Sequence, residues 1–170
     1  MKNHWTFFTF VLCFIQAVYA STGIFVGGSG SKKTMYVSCD TTLWHCVGTY
    51  DKDQATKFEQ VGDSDSPYYP YNQYRVVGTS PALCENVLDY NVELSLTTCT
   101  PGTSPPDNEL FRVEVHADSD GNSVWRVVNK YRGDRKLWWQ GDQTDIVVAE
   151  SCTDSAWQCF WKWVPENNVS

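Results

Sequence analysis

A repeat of about fifty residues constrains this chain more than any other feature. Tyr74-Arg75-Val76-Val77-Gly78 returns as Trp125-Arg126-Val127-Val128-Asn129, 51 residues later, and a looser copy, Gly23-Ile24-Phe25-Val26-Gly27, stands 51 residues before Tyr74. Cys46, Cys99 and Cys152 follow at intervals of 53 and 53, and Phe58, Phe111 and Phe160 at 53 and 49. A period of this length marks a structural unit that cannot bury its apolar side alone and must share a core with its copies.

Each copy divides into four short β-type runs parted by turn-forming residues. In the last copy the runs are Trp125 to Asn129, Leu137 to Gln140, Asp145 to Cys152 and Phe160 to Val164; in the middle copy they are Tyr74 to Gly78, Ala82 to Leu88, Val92 to Cys99 and Leu110 to Val115. Phe111, Val113 and Val115 alternate with Arg112 and Glu114, the pattern of a strand that is wet on one side. No stretch keeps a helical period beyond a turn or so. Three four-strand units of this size predict an all-β domain of β-trefoil plan, a barrel capped by three hairpins. An eight-stranded lipocalin-like barrel is the alternative; it suits the length but leaves the threefold repeat unexplained. The repeats run over about 22–72, 73–124 and 125–170.

The residues Trp125-Arg126-Val127, Lys136-Leu137-Trp138-Trp139-Gln140-Gly141, Ile146-Val147-Val148 and Phe160-Trp161-Lys162-Trp163-Val164 resemble the strand rhythm of fascin-like trefoils. The resemblance implies the trefoil fold and not the cytosolic actin bundling of fascins, because a leader and six cysteines are foreign to that pattern. Ricin-type lectin trefoils carry Gln-x-Trp in each unit. The matching places here read Phe58-Glu59-Gln60, Phe111-Arg112-Val113 and Phe160-Trp161-Lys162, so their sugar pockets are not implied.

Residues 1–20 pair one charge, Lys2, with an apolar run from Trp5 to Val18 and a small residue, Ala20, which is the layout of a secretory signal cleaved after Ala20. The 170 residues less these 20 leave a single domain of 150, residues 21–170, and the 13 Lys and Arg less Lys2 leave 12 against 20 Asp and Glu, a formal charge near −8. That balance argues against nucleic acid and against anionic membrane surfaces, and no later segment is long enough to insert in a membrane. Cys13 leaves with the signal. Cys39, Cys46, Cys84, Cys99, Cys152 and Cys159 remain, an even set that reads as three disulfides in an oxidising compartment. Of the 15 connectivities open to six cysteines, short separations favour Cys39 with Cys46, Cys84 with Cys99 and Cys152 with Cys159.

Catalytic signals are absent. The mature chain holds two histidines, His45 and His116, with no Gly-x-Ser-x-Gly or His-Glu-x-x-His motif, and no carboxylate pair stands out. Neither a cofactor nor a metal is implied. Asp63-Ser64-Asp65 and Asp118-Ser119-Asp120-Gly121-Asn122 offer oxygen ligands, but they are also the residues that tight turns require, and neither loop has a Glu at the twelfth place of a calcium loop. Arg132-Gly133-Asp134 spells an integrin-read tripeptide and is also ordinary turn chemistry. Asn168-Val169-Ser170 is a glycosylation sequon at the end of the chain.

Aromatic residues make up 15% of the chain, and some fall where strands should not be. Tyr68, Tyr69 and Tyr71 share a connection with Pro67 and Pro70, and an exposed tyrosine group of this kind can stack on a sugar or anchor in a protein pocket. Trp138 and Trp139 must face opposite ways in a strand, one toward the core. Tyr68, Tyr69, Tyr71, Trp138 and Trp139 are therefore the ligand-binding candidates for a secreted, non-catalytic protein that recognises an extracellular glycan or glycoprotein. A second reading is a protease inhibitor resembling Kunitz-type trefoil inhibitors, with Arg132, Arg135 and Lys136 on its inhibitory loop. A third is a cytokine-like or matrix interaction protein.

Overall fold

The computed structural model describes residues 21–28, 33–62, 69–87, 93–100, 105–139, 144–149, 152–153 and 156–166. The leader assigned to residues 1–20 lies outside them.

Twelve strands carry the fold. The first four are β1 (Thr22–Gly27), β2 (Met35–Asp40), β3 (His45–Thr49) and β4 (Phe58–Val61). The next are β5 (Gln73–Val76), β6 (Leu83–Val87), β7 (Leu94–Thr98) and β8 (Phe111–Ala117). The last are β9 (Ser123–Asn129), β10 (Arg135–Trp139), β11 (Ile146–Ala149) and β12 (Trp161–Pro165). The single α-helix among the described residues, α1 (Tyr131–Asp134), is one turn long.

The fold is all-β. One sheet runs β12-β1-β2-β3-β7-β6-β5-β4 and closes through a β1–β4 pairing into a barrel of seven strands, while β11-β10-β9-β8 form a second sheet. Because β3 neighbours β7, the chain does not follow the sequential up-and-down order of the alternative eight-stranded barrel.

The pairings come in sets of three. Hairpins form from β2–β3, β6–β7 and β10–β11. Those hairpins touch one another through His45 and Ser95, Val47 and Asp145, and Glu93 and Val147. Strands β12–β1, β4–β5 and β8–β9 pair in matching register, setting Trp163 against Phe25, Gln60 against Tyr74 and Val113 against Val127. Phe25, Tyr74 and Val127 therefore hold equivalent places, all buried. This corrects the sequence alignment: the shared Arg-Val-Val string put Tyr74 opposite Trp125, whereas strand pairing makes Asn72 the counterpart of Trp125. By the same registers Trp161, and not Phe160, belongs with Phe58 and Phe111.

A third kind of seam pairs the first and fourth strands in two of the three units. Gly23 pairs with Phe58, and Asn72 exchanges two backbone hydrogen bonds with Phe111. At the corresponding place Trp125 and Trp161 do not pair with each other, and among the described residues no ladder connects β9 to β12, although the two strands pack together.

Aromatic side chains fill the centre. The Phe25 ring meets Tyr74 at 4.7 Å, Trp163 at 5.1 Å and Phe58 at 5.7 Å between centroids, each edge to face, the arrangement the ring quadrupoles favour. Disulfides join Cys39 to Cys46 across the β2–β3 hairpin, Cys84 to Cys99, and Cys152 to Cys159.

Candidate functional site

The connection from β4 to β5 presents aromatic side chains on an anchored backbone. Asn72 donates its backbone N–H to the Phe111 carbonyl at 2.7 Å and accepts from the Phe111 N–H at 2.9 Å, which pins the end of the loop to β8. Immediately before this anchor, Tyr69 is 65% exposed and Tyr71 half-buried. Tyr68 lies outside the described residues.

Strand alternation puts Arg112, Glu114 and His116 of β8 on one face. The Arg112 guanidinium lies over the Tyr71 ring, 4.9 Å from its centroid, and Nη1 donates to the phenol oxygen. The same guanidinium donates from Nη2 and Nε to Glu114 Oε2 at 3.0 and 3.3 Å. His116 Nε2 stands 2.6 Å from Glu114 Oε1. Lys130 Nζ completes the cluster at 5.9 Å from the Tyr71 centroid and 2.9 Å from Asp107. Partial burial pushes the Glu114 carboxyl up, but the hydrogen bonds from His116 and Arg112, with their charges, outweigh it and hold the group below the usual carboxylate range.

The result is a row of aromatic face, cation, anion and imidazole, suited to recognition by stacking and directed hydrogen bonds. Among the described residues, no hydroxyl or thiol is hydrogen-bonded to His45 or His116 as a nucleophile would be; His45 instead pairs with Asp145 at 2.9 Å.

The other candidates fall elsewhere. Trp139 is buried against Tyr50 and Trp157, with centroids at 5.1 and 6.2 Å, so it is core and not available to a ligand. Trp138, its neighbour on the opposite face of β10, is half-buried. Arg132 lies in α1, and Arg135 and Lys136 lie within β10, paired with Asn129 and Val128 of β9. Arg135 and Lys136 are thus strand residues, and of the three proposed loop residues only Arg132 falls outside the sheet. Asp118 accepts from the backbone N–H groups of Asp120 and Asn122 at 3.0 and 2.7 Å, which is the bonding of a turn. Residues 63–65 and Asn168 lie outside the described residues.

Sequence reasoning missed Arg112, Glu114, His116 and Lys130 as partners of Tyr71. Only the β8 alternation hinted at the first three. It also missed Trp44, which tips the β2–β3 hairpin 45% exposed with a left-handed backbone, φ 56°, and whose carbonyl accepts from the Leu96 N–H at 3.1 Å.

No family model matches the chain, and no curated protein matches it either. Among solved structures it is similar to the botulinum neurotoxin serotype D binding domain, with a TM-score of 0.57 at 11% identity. The likeness covers 86% of this chain and 42% of that one, so the chain spans less than half the length of its structural neighbour. At this identity the likeness concerns the all-β fold alone. No helix among the described residues is long and apolar enough to cross a membrane, and the three disulfides fit an oxidising, extracellular setting.

Proposed function

We propose that this chain is a secreted β-trefoil module that binds carbohydrate or glycoprotein without catalysis, using the Tyr69–Tyr71 loop and the charged row of β8. The trefoil reading rests on the threefold sets of strand pairings, and the secretory reading on the leader-like residues 1–20 together with three disulfides. The observation that carries the function is Tyr69, a largely exposed tyrosine three residues from a backbone anchor. Its ordering cost on binding is already partly met, which is what makes a loop aromatic an effective contact. Arg112 holds Tyr71 in place beside it. That a solved neighbour of similar fold is described as a binding domain lends general support.

The test is a broad glycan array, complemented by pull-down from extracellular fluid, with the intact protein and with Tyr69→Ala/Tyr71→Ala. Selective binding that the double substitution removes supports the reading. Silence of the intact protein in both assays, or binding indifferent to the two tyrosines, overturns it.

A further inference from the structure

The seam between β9 and β12 is where the threefold pattern fails, and a cleft opens there. In the other two units the equivalent seam is closed by Gly23 against Phe58 and by Asn72 against Phe111. At the third, Trp125 stands where a paired residue would be, and it lines a cleft of about 280 Å³ with Ser123, Phe160, Trp161 and Lys162. Phe160 and Trp161 lie beneath it and are buried, so its exposed surface comes mainly from Ser123, Trp125 and Lys162. Trp125 is 46% exposed and is backed across the β8–β9 hairpin by Val115, its register partner, also exposed. Lys162 is exposed, and among the described residues no carboxylate pairs with it.

We infer that this cleft is a second binding site, distinct from the Tyr69–Tyr71 surface, and that it takes a single pyranose ring bearing a carboxylate, such as a terminal hexuronate. An indole face accepts the apolar C–H side of a sugar ring. The ammonium of Lys162, which lines the same cleft, provides a charge-assisted hydrogen bond to the acid. The volume lies at the small end of ligand-sized clefts, which suits one ring and not an extended chain. The inference extends the glycan reading of the previous subsection but rests on different residues, so the two fail separately.

The experiment is an NMR titration of the intact protein with methyl β-D-glucuronide and with methyl β-D-glucoside. The glucuronide shifts the Trp125 indole resonance saturably and binds more tightly than the glucoside. Lys162→Gln weakens glucuronide binding about tenfold, the loss of one charge-assisted bond, and leaves the glucoside unchanged. Trp125→Ala removes both, while Tyr69→Ala/Tyr71→Ala removes neither. Trp125 is at the surface, so its replacement leaves the core intact. Equal affinity for the two sugars would refute the acidic ligand. Absence of a saturable shift at Trp125, or glucuronide binding that survives Trp125→Ala, overturns the site whatever the tyrosine loop does.

Discussion

Trp139 packs directly against the backbone of Gly48: a Cβ at position 48 would fall 1.8 Å from Trp139 Nε1 and 2.2 Å from its Cδ1. Gly48 is thus the floor on which a buried indole rests while it packs edge-on to Tyr50. Gly48→Ala must displace the indole, and overpacking of this kind costs about 3 kcal/mol. Urea denaturation measures the loss. Adding Trp139→Phe, which draws the ring back from the new methyl, recovers part of it, and strict additivity of the two changes would show that they do not touch.

Glu85 is fully buried in β6, and neither carboxylate oxygen has a hydrogen-bond partner among the described residues. Burial pushes this carboxyl well above its ordinary value of 4.5, so the folded chain keeps a proton that the unfolded chain releases. Its contribution to stability is complete below about pH 4.5 and declines as pH rises from there to the raised folded value. Glu85→Gln flattens this decline in stability curves measured against pH. Glu85→Met, which removes the unpaired group, raises stability near neutral pH by about 2 kcal/mol.

Glu114 behaves in the opposite sense. Its hydrogen bonds from His116 and Arg112 hold the carboxyl low in the folded state, so the stability it contributes is present above the ordinary carboxylate range and is lost as pH falls through the depressed folded value. Glu114→Gln removes that acid-side loss. Arg112→Ala releases the Tyr71 ring and also removes two of the Glu114 hydrogen bonds, so its expected signature is weaker glycan binding together with a lower denaturation midpoint.

Of the three disulfides, Cys84–Cys99 closes the longest loop, 15 residues against 7 for each of the others. Loop-closure entropy then makes Cys84→Ala/Cys99→Ala the most costly pair to remove, at about 3 kcal/mol, with the shorter loops at about 2.5 kcal/mol. Denaturation of the three double variants checks the order. A larger loss from either short loop would mean that local packing, and not chain entropy, sets the effect.

Strand positions were legible because alternation and turn residues act locally: all but the first residue of the run Leu110 to Val115 falls in β8, and Trp125 to Asn129 falls in β9. Register was not. Matching Arg75-Val76-Val77 to Arg126-Val127-Val128 honours side-chain identity, whereas equivalence is set by which residue lies across the ladder, and that displaced Tyr74 by two places. Alternation also names a face without saying what covers it. Val115 continues the inward row of Phe111 and Val113, yet it is 54% exposed because nothing covers that end of the β8–β9 hairpin. The Tyr71 cluster was hidden for a related reason, since Arg112 lies 41 residues away and comes to Tyr71 only through the Asn72–Phe111 bridge.

The unlatched edge between β9 and β12 has a dynamic consequence. With backbone pairing at two of these three seams and none at the other, the amide protons that face it, at Trp125 and Trp161, should exchange with deuterium ahead of their counterparts at Asn72 and Phe111, which bond each other. A guest wedged there would act as the missing staple and slow that exchange.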